Sequence, residues 1–257
     1  MKRKSLFLFD IDGTLVDQNK DIPKSAVQAI RKLQKEGHIT AIATGRAPFM
    51  MEHIRKELYI DYVVAFNGAV VCKGQEVIYA QYLDYEECLQ IRKKAHKYGH
   101  GLCWQGIEDM ATEQDSAVIT EVLAPIKIGL PKVDPTYIRK QEVVQALVFI
   151  RPEEEALYPT YQHVRFTRWH PQVVDVIGKH VSKASGIQWL VDYLGISDLE
   201  TVAFGDARND LEMFAVVDTS VAMGNGIEEL KQIASYVTTD VDKDGIYHAL
   251  VHLGYIQ

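Results

Sequence analysis

The sequence has no apolar run long enough to cross a membrane. The first run, Leu6-Phe7-Leu8-Phe9, follows the basic start Met1-Lys2-Arg3-Lys4 and stops at Asp10, too short for a span or for the core of a secretory signal. Cysteine is scarce. Cys72, Cys88 and Cys103 are odd in number and lack metal-ligand spacing, so reduced, structural thiols of a cytoplasmic enzyme are expected, not a disulfide framework or a zinc site. Positive charge is also short, with 28 Lys and Arg against 35 Asp and Glu and a net charge of −7. That balance argues against nucleic-acid binding by broad phosphate neutralisation. It leaves small anionic substrates open, because a pocket can be locally positive in an acidic protein. Low-complexity tracts and internal repeats are missing as well. The partners expected are therefore small molecules, with neither membrane nor nucleic acid.

What is present is an alternation of strand and helix patterns along 257 residues, enough for one large domain or two modest ones. Leu6–Phe9 reads as a strand. A helix from about Pro23 to Glu36 puts Ala26, Ala29, Ile30 and Leu33 on one face, with Pro23 suited to its first turn and Gly37 to its stop. Strands follow at 39–44 and 62–66. Their unbroken apolar character predicts parallel strands covered by helices on both faces, with functional loops beyond the carboxyl ends. Asp10, Thr44-Gly45-Arg46 and Asn67-Gly68 occupy those positions. A small hairpin over 70–79 turns at Lys73-Gly74. From about Leu83 the pattern loosens into helices at 85–98 and 116–123, a strand at 143–150, a charged helical segment at 152–161, and an antiparallel pair, 163–167 with 173–177, joined around Pro171. The first pattern resumes with a helix at 183–194, strands at 201–204 and 220–223, and a helix near 227–234. The expected partition is an α/β core, 1–82 with 183–257, interrupted by a separate α+β unit at 83–182.

Two carboxylates, Asp10 and Asp12, end the first apolar strand. Buried charge is unfavourable without a compensating partner, and a bound metal is the expected remedy. Asp10 reads as nucleophile and first metal ligand. Asp12 reads as general acid, then general base, with its backbone carbonyl also reaching the metal, while Gly13 allows a sharp turn. An Asx-Gly turn with Asp12 in solvent is the structural alternative. Thr44, with Gly45, offers a hydroxyl and backbone donors for a phosphate oxygen, or else caps the next helix. Arg46 suits either the far side of a substrate or a surface carboxylate. Lys183 opens a helix, where the dipole disfavours a cation, which hints at an anionic partner such as Asp10 with phosphate. In Gly205-Asp206-Ala207-Arg208-Asn209-Asp210, Asp206 would complete an oxygen shell around the metal. Asn209 and Asp210 would orient Lys183 or ligated water; a capped helix with an acidic first turn is the alternative. All-oxygen ligation favours Mg²⁺ over zinc or iron. Elsewhere Gly224-Asn225-Gly226 reads as a turn. Asp240, Asp242 and Asp244 read as a solvated turn, because Val251 stands where a calcium loop needs an acid. His163 and His170 straddle a strand, Trp169 and Tyr161 suit either a pocket or the covering of the insert, and Asp175, in the strand 173–177, faces either the cleft or the outside.

With these residues in place, the chain resembles the haloacid dehalogenase-like hydrolases, in particular the Cof-type phosphatases with a large α/β (type IIB) cap. The matches are Asp10-Ile11-Asp12-Gly13-Thr14-Leu15, Thr44-Gly45-Arg46, Asn67-Gly68-Ala69, Lys183 and the Gly205–Asp210 stretch, and the insert falls between the second and third motifs. The resemblance implies a doubly wound, mostly parallel Rossmannoid core with an inserted cap, Mg²⁺, and an aspartyl-phosphate intermediate on Asp10. It also implies that Thr44 and Lys183 hold phosphoryl oxygens, with Asn209 near them, and that Asp10, Asp12 and Asp206 surround the metal. Arg46 and Asn67 become candidates for substrate contact. Ala207 and Ala184 stand where the family commonly has glycine, and Ala207 matters only if its φ must be positive. The expected activity is hydrolysis of a small phosphorylated metabolite, a sugar phosphate first, with the insert closing over the cleft and reading the leaving group. A phosphomutase using the same intermediate and a non-catalytic metabolite-binding protein are the alternatives.

Overall fold

Ser5–Phe9 (β1) is buried at every position, as a strand covered on both faces must be. The computed structural model describes residues 4–126, 129–196 and 198–257; most of the basic start lies outside them. After β1 come α1 (Lys24–Lys35), β2 (Ile39–Ala43), α2 (Glu52–Leu58), β3 (Tyr62–Ala65), β4 (Val70–Lys73) and β5 (Glu76–Ala80). Then follow α3 (Tyr85–Tyr98), β6 (Gly101–Gln105), β7 (Met110–Thr112), α4 (Ala117–Leu123), β8 (Lys132–Val133), α5 (Tyr137–Lys140), β9 (Gln145–Phe149), β10 (Val164–His170) and β11 (Val173–Gly178). The chain finishes with α6 (Lys183–Leu194), β12 (Glu200–Gly205), α7 (Leu211–Phe214), β13 (Thr219–Ala222), α8 (Glu228–Ile233), β14 (Tyr236–Val237) and α9 (Gly245–His252).

These elements form two units. One comprises the chain up to Arg46, Met51–Tyr79 and Ser182–Gln257; the other comprises Ala47–Met50 and Ala80–Val181. The first holds an eight-stranded sheet in the order β14-β13-β12-β1-β2-β3-β4-β5. β14 through β3 pair in parallel, and β4 turns antiparallel to β3. Successive residues of a strand face opposite ways. Leu6 and Leu8 therefore pack with Ala41, Val64 and Ala203 beneath Ile187 and Leu190 of α6 and Met213 of α7. Phe7 points the other way and meets Tyr255 edge-on at 4.8 Å, on the side where α1 lies against α9. Helices on both faces of a mostly parallel sheet are the doubly wound architecture.

The second unit has a six-stranded sheet, β10-β11-β9-β6-β7-β8, antiparallel except where β7 meets β8. Ile91 and Ala95 of α3 share its core with Trp104, Val148, Val174 and Val176. Several details depart from expectation. β6 and β7 occupy stretches read as irregular, because every position in them is buried and no polar alternation marks them. The segment 152–161 is helical only as a 3₁₀ turn over Pro152–Leu157. β10 continues through Arg168 and Trp169 to His170, with a register shift between Arg168 and His170, where a connection was expected. β14 and α9 were not foreseen. The three cysteines are free and buried, and burial pushes the Cys72 thiol up to about 11. Among the described residues no helix is long and apolar enough to cross a membrane.

Candidate active site

The carboxyl ends of β1, β2 and β12 and the start of α6 supply the site, all within the first unit. The Asp10 N–H donates to Phe204 O at 3.0 Å, which carries the β1–β12 pairing one residue past the strand. The N–H groups of Leu15 and Val16 then both turn back to Ile11 O at 2.9 Å, and the chain reverses. Gly13 makes this possible. Its φ is +80°, and a Cβ there would overlap the Asp206 carboxylate. The side chain of Thr14 donates to Asp206 Oδ1 at 3.3 Å.

Lys183 reaches the same place from the first turn of α6. That helix is fixed by a reciprocal cap, Ser185 N–H to Ser182 Oγ at 3.0 Å and Ser182 N–H to Ser185 Oγ at 2.9 Å. Its entry lies against the 66–68 turn so closely that a Cβ on Gly68, where φ is +101°, would overlap Ser182 O. The Lys183 ammonium, with its side chain fully buried, donates to Asp10 Oδ1 at 2.5 Å and to Asp210 Oδ1 at 2.7 Å. The second oxygen of Asp210 accepts the N–H groups of Asp206 and Ala207, each at 2.9 Å. Asp210 thus holds the lysine and shapes the loop that carries Asp206.

Asp10, Asp206 and Asp210 each offer an oxygen within 4.8 Å of the others'. Burial raises Asp10, and Asp210 and Asp206 add to this, against the opposing pull of Lys183. Burial and Asp210 push Asp206 up to about 7. For Lys183, burial works to lower the pKa, but the two carboxylates outweigh it and hold the amine charged. One lysine therefore does not neutralise this acidity. A set of hard oxygen donors with excess negative charge suits a hard divalent cation.

Asp12 does not join that cluster. Its half-exposed carboxylate accepts Arg46 through both oxygens, Nε at 2.8 Å and Nη2 at 2.6 Å, and Lys20 Nζ at 2.7 Å. Burial alone would raise its pKa, but the bonds and charges of Arg46 and Lys20 prevail and lower it. Of the two readings of Arg46, the one realised is a carboxylate partner, and the carboxylate is Asp12. Thr44 is buried; its N–H donates to Val64 O at 2.8 Å and its Oγ1 accepts the Arg46 N–H at 3.1 Å. Gly45 lies against Asn67, whose N–H donates to Thr44 O at 2.9 Å. Asn209 sits one residue ahead of Asp210 in a 3₁₀ turn and donates to Asn67 Oδ1 at 3.3 Å. Asp210 is the member of that pair hydrogen-bonded to the lysine.

Residues 7–250 match the haloacid dehalogenase-like hydrolases. The chain belongs to that family. The putative phosphatase YkrA of Bacillus subtilis is 37% identical over 253 residues, 98% of each chain. A hypothetical protein from Geobacillus kaustophilus HTA426 has a similar structure, with a TM-score of 0.92 and 44% identity over 98% of this chain and 100% of that one. The HAD subclass IIB sugar phosphatase BT4131 gives a TM-score of 0.87 and 31% identity over the same shares. This haloacid dehalogenase-like hydrolase is a phosphatase of the Cof type.

In this hydrolase, Ala207 has φ −116° and ψ 174°, extended backbone open to any residue, so the departure from glycine introduces no strain. Sequence reasoning missed Lys20 and Asn225. Asn225 donates to Gly13 O at 2.8 Å and accepts the Val241 N–H at 2.8 Å, tying the turn after β1 to the loop after β14. Its flanking glycines marked a turn, but nothing in the sequence named its partners. Asp240 and Asp244 bond only locally or to Ser25 among the contacts described.

Proposed function

We propose that this chain is a Mg²⁺-dependent phosphatase of small phosphorylated metabolites, sugar phosphates first, acting through an aspartyl phosphate on Asp10. The observation that carries this reading is the buried Lys183 ammonium between Asp10 and Asp210, beside Asp206. It leaves a nucleophilic carboxylate oriented by a fixed cation, with acidity to spare for a second. Asp10, Asp206 and the Asp12 carbonyl would hold Mg²⁺, which supplies charge neutralisation for the transferring phosphoryl group when bound.

The chain's own groups would do the following. Asp10 attacks phosphorus in line, and the bond from phosphorus to the leaving oxygen breaks as the acyl phosphate forms. Lys183, with the Thr44 hydroxyl and the backbone at Gly45, holds the equatorial oxygens. Such positioning and electrostatic stabilisation make up most of catalysis in phosphoryl transfer. Asp12 gives a proton to the departing alkoxide, then takes one from the water that hydrolyses the acyl phosphate. Oδ1 takes two of the three bonds from Arg46 and Lys20 and Oδ2 takes one, so Oδ2 is the oxygen that would carry the proton. The similarity to a named sugar phosphatase supports the substrate class.

A phosphate-release screen over sugar phosphates, nucleotides, flavin mononucleotide and pyridoxal phosphate, with Mg²⁺ and with EDTA, tests the proposal. Release with Mg²⁺ that EDTA abolishes, and that Asp10→Asn eliminates while the fold is kept, is expected. Turnover that survives either change overturns it. Isomer formation without phosphate release would indicate a mutase.

A further inference from the structure

Lys20 stands out on two independent grounds. Its ammonium lies 2.7 Å from Asp12 Oδ1, beside the Arg46 guanidinium that also grips this carboxylate. Its backbone has φ +70°, a left-handed conformation that glycine or asparagine adopts far more readily than lysine. The loop around it enforces this shape. Asp17 Oδ1 accepts the N–H groups of Asn19 at 2.8 Å and Asp21 at 2.9 Å, and the Lys20 N–H itself donates to Asp17 O at 3.1 Å. A residue that strains its backbone at a tight turn is explained when its side chain does something glycine cannot. Here the side chain spans eight residues back to Asp12.

We propose that Lys20 is a positioning residue for the reaction, its left-handed backbone aiming the ammonium so that Lys20 and Arg46 together fix the Asp12 carboxylate where it serves as acid and base. This rests on the reading of Asp12 given above. Arg46 alone binds the carboxylate as a fork, which leaves rotation about the common axis of the pair. A third donor on Oδ1 from another loop removes that freedom. Misplacing an acid–base group by about 1 Å lowers turnover by up to about a hundredfold.

The strain makes the test discriminating. Lys20→Gly relieves the backbone while deleting the ammonium, so a structural role predicts a protein no worse than wild type. Wild type, Lys20→Gly, Lys20→Met, Lys20→Arg and Asp12→Asn are compared by kcat and KM for phosphate release from glucose 6-phosphate, whose alkoxide leaving group needs a proton, and by thermal melting. The expected result is kcat lowered about ten- to a hundredfold in Lys20→Gly and Lys20→Met, with KM within about twofold. Lys20→Gly should melt at or above the wild-type temperature, and Lys20→Arg should regain most of kcat. Wild-type kcat in Lys20→Gly and Lys20→Met, alongside an inactive Asp12→Asn, overturns this inference and leaves the site reading intact. A kcat loss that merely follows a falling melting temperature also overturns it. An Asp12→Asn protein as active as wild type refutes the reading of Asp12 itself.

Discussion

Raising the pH from about 5.5 to about 8 should enlarge the stabilisation that Mg²⁺ confers. The reason lies in Asp206, pushed up to about 7 by burial and by Asp210. Between the ordinary carboxylate range and that value, the folded protein holds a proton that the unfolded chain has released. Folded-state protons in excess mean that metal-free stability falls as pH rises from about 4 through about 7. A cation needs the ionised carboxylate, so proton and metal compete. At about pH 5.5 roughly one Asp206 in thirty is ionised, so from this group alone apparent affinity is about thirtyfold weaker than at pH 8, and Asp10, raised by its own burial, acts in the same direction. With Mg²⁺ at about 100 times its dissociation constant at pH 8, the stabilisation is about 2.7 kcal/mol there and about 1 kcal/mol at pH 5.5. At about 2–4 °C per kcal/mol for a chain of this size, the melting temperature should rise by about 5–10 °C at pH 8 and about 2–4 °C at pH 5.5. Thermal melts with Mg²⁺ and with EDTA at both pH values measure this, with Asp206→Asn as control. Equal shifts at the two pH values, or a shift that persists in Asp206→Asn, would refute the reasoning.

Three further outcomes are expected. Lys183→Met should lose about 3–5 kcal/mol, because it strands two buried carboxylates; Asp210→Asn added to it should restore part of that in chemical denaturation. Gly13→Ala should displace Asp206, through both the overlap and the φ of +80°, and weaken Mg²⁺ affinity about tenfold or more in a calorimetric titration. Ala207→Gly should leave kcat within about twofold and lower stability by about 0.5–1 kcal/mol, since the extended backbone there needs no glycine; a gain in activity would show that the loop is strained after all.

How much of this was legible in the sequence depended on the kind of signal. Helices with a clear apolar stripe and a terminator were placed to the residue or nearly so: α3 and α6 span Tyr85–Tyr98 and Lys183–Leu194, and α1 buries Ala26, Ala29, Ile30 and Leu33. Strands buried on both sides were harder, and β6 was lost because it shows no polar alternation and its apolar run is only Leu102-Cys103-Trp104, between Gly101 and Gln105, which the fold buries as well. In the site, residue type and rim position pointed to Asp10, Thr44, Lys183 and Asp206, since charge buried at strand ends persists only where an opposite charge meets it. Division of labour within a short turn was not legible. Asn209 and Asp210 are neighbours, and only their direction in the 3₁₀ turn sends one to Asn67 and the other to Lys183. Lys20 was invisible for a related reason. A surface lysine in a polar loop carries no pattern, and its reach to Asp12 follows from a backbone angle that sequence does not announce.

The position of β1 between β2 and β12 also bears on how the molecule comes into being. One flank arrives within forty residues, but the other lies about two hundred residues further along. A chain emerging from a ribosome would carry its most apolar strand half-paired until nearly four-fifths of synthesis was over. Pairing across such a separation is slow to form. Asp10 would wait for Lys183 over the same interval, so the capacity for chemistry should appear only with the final docking event, and regain of turnover during refolding should lag behind the recovery of helical signal.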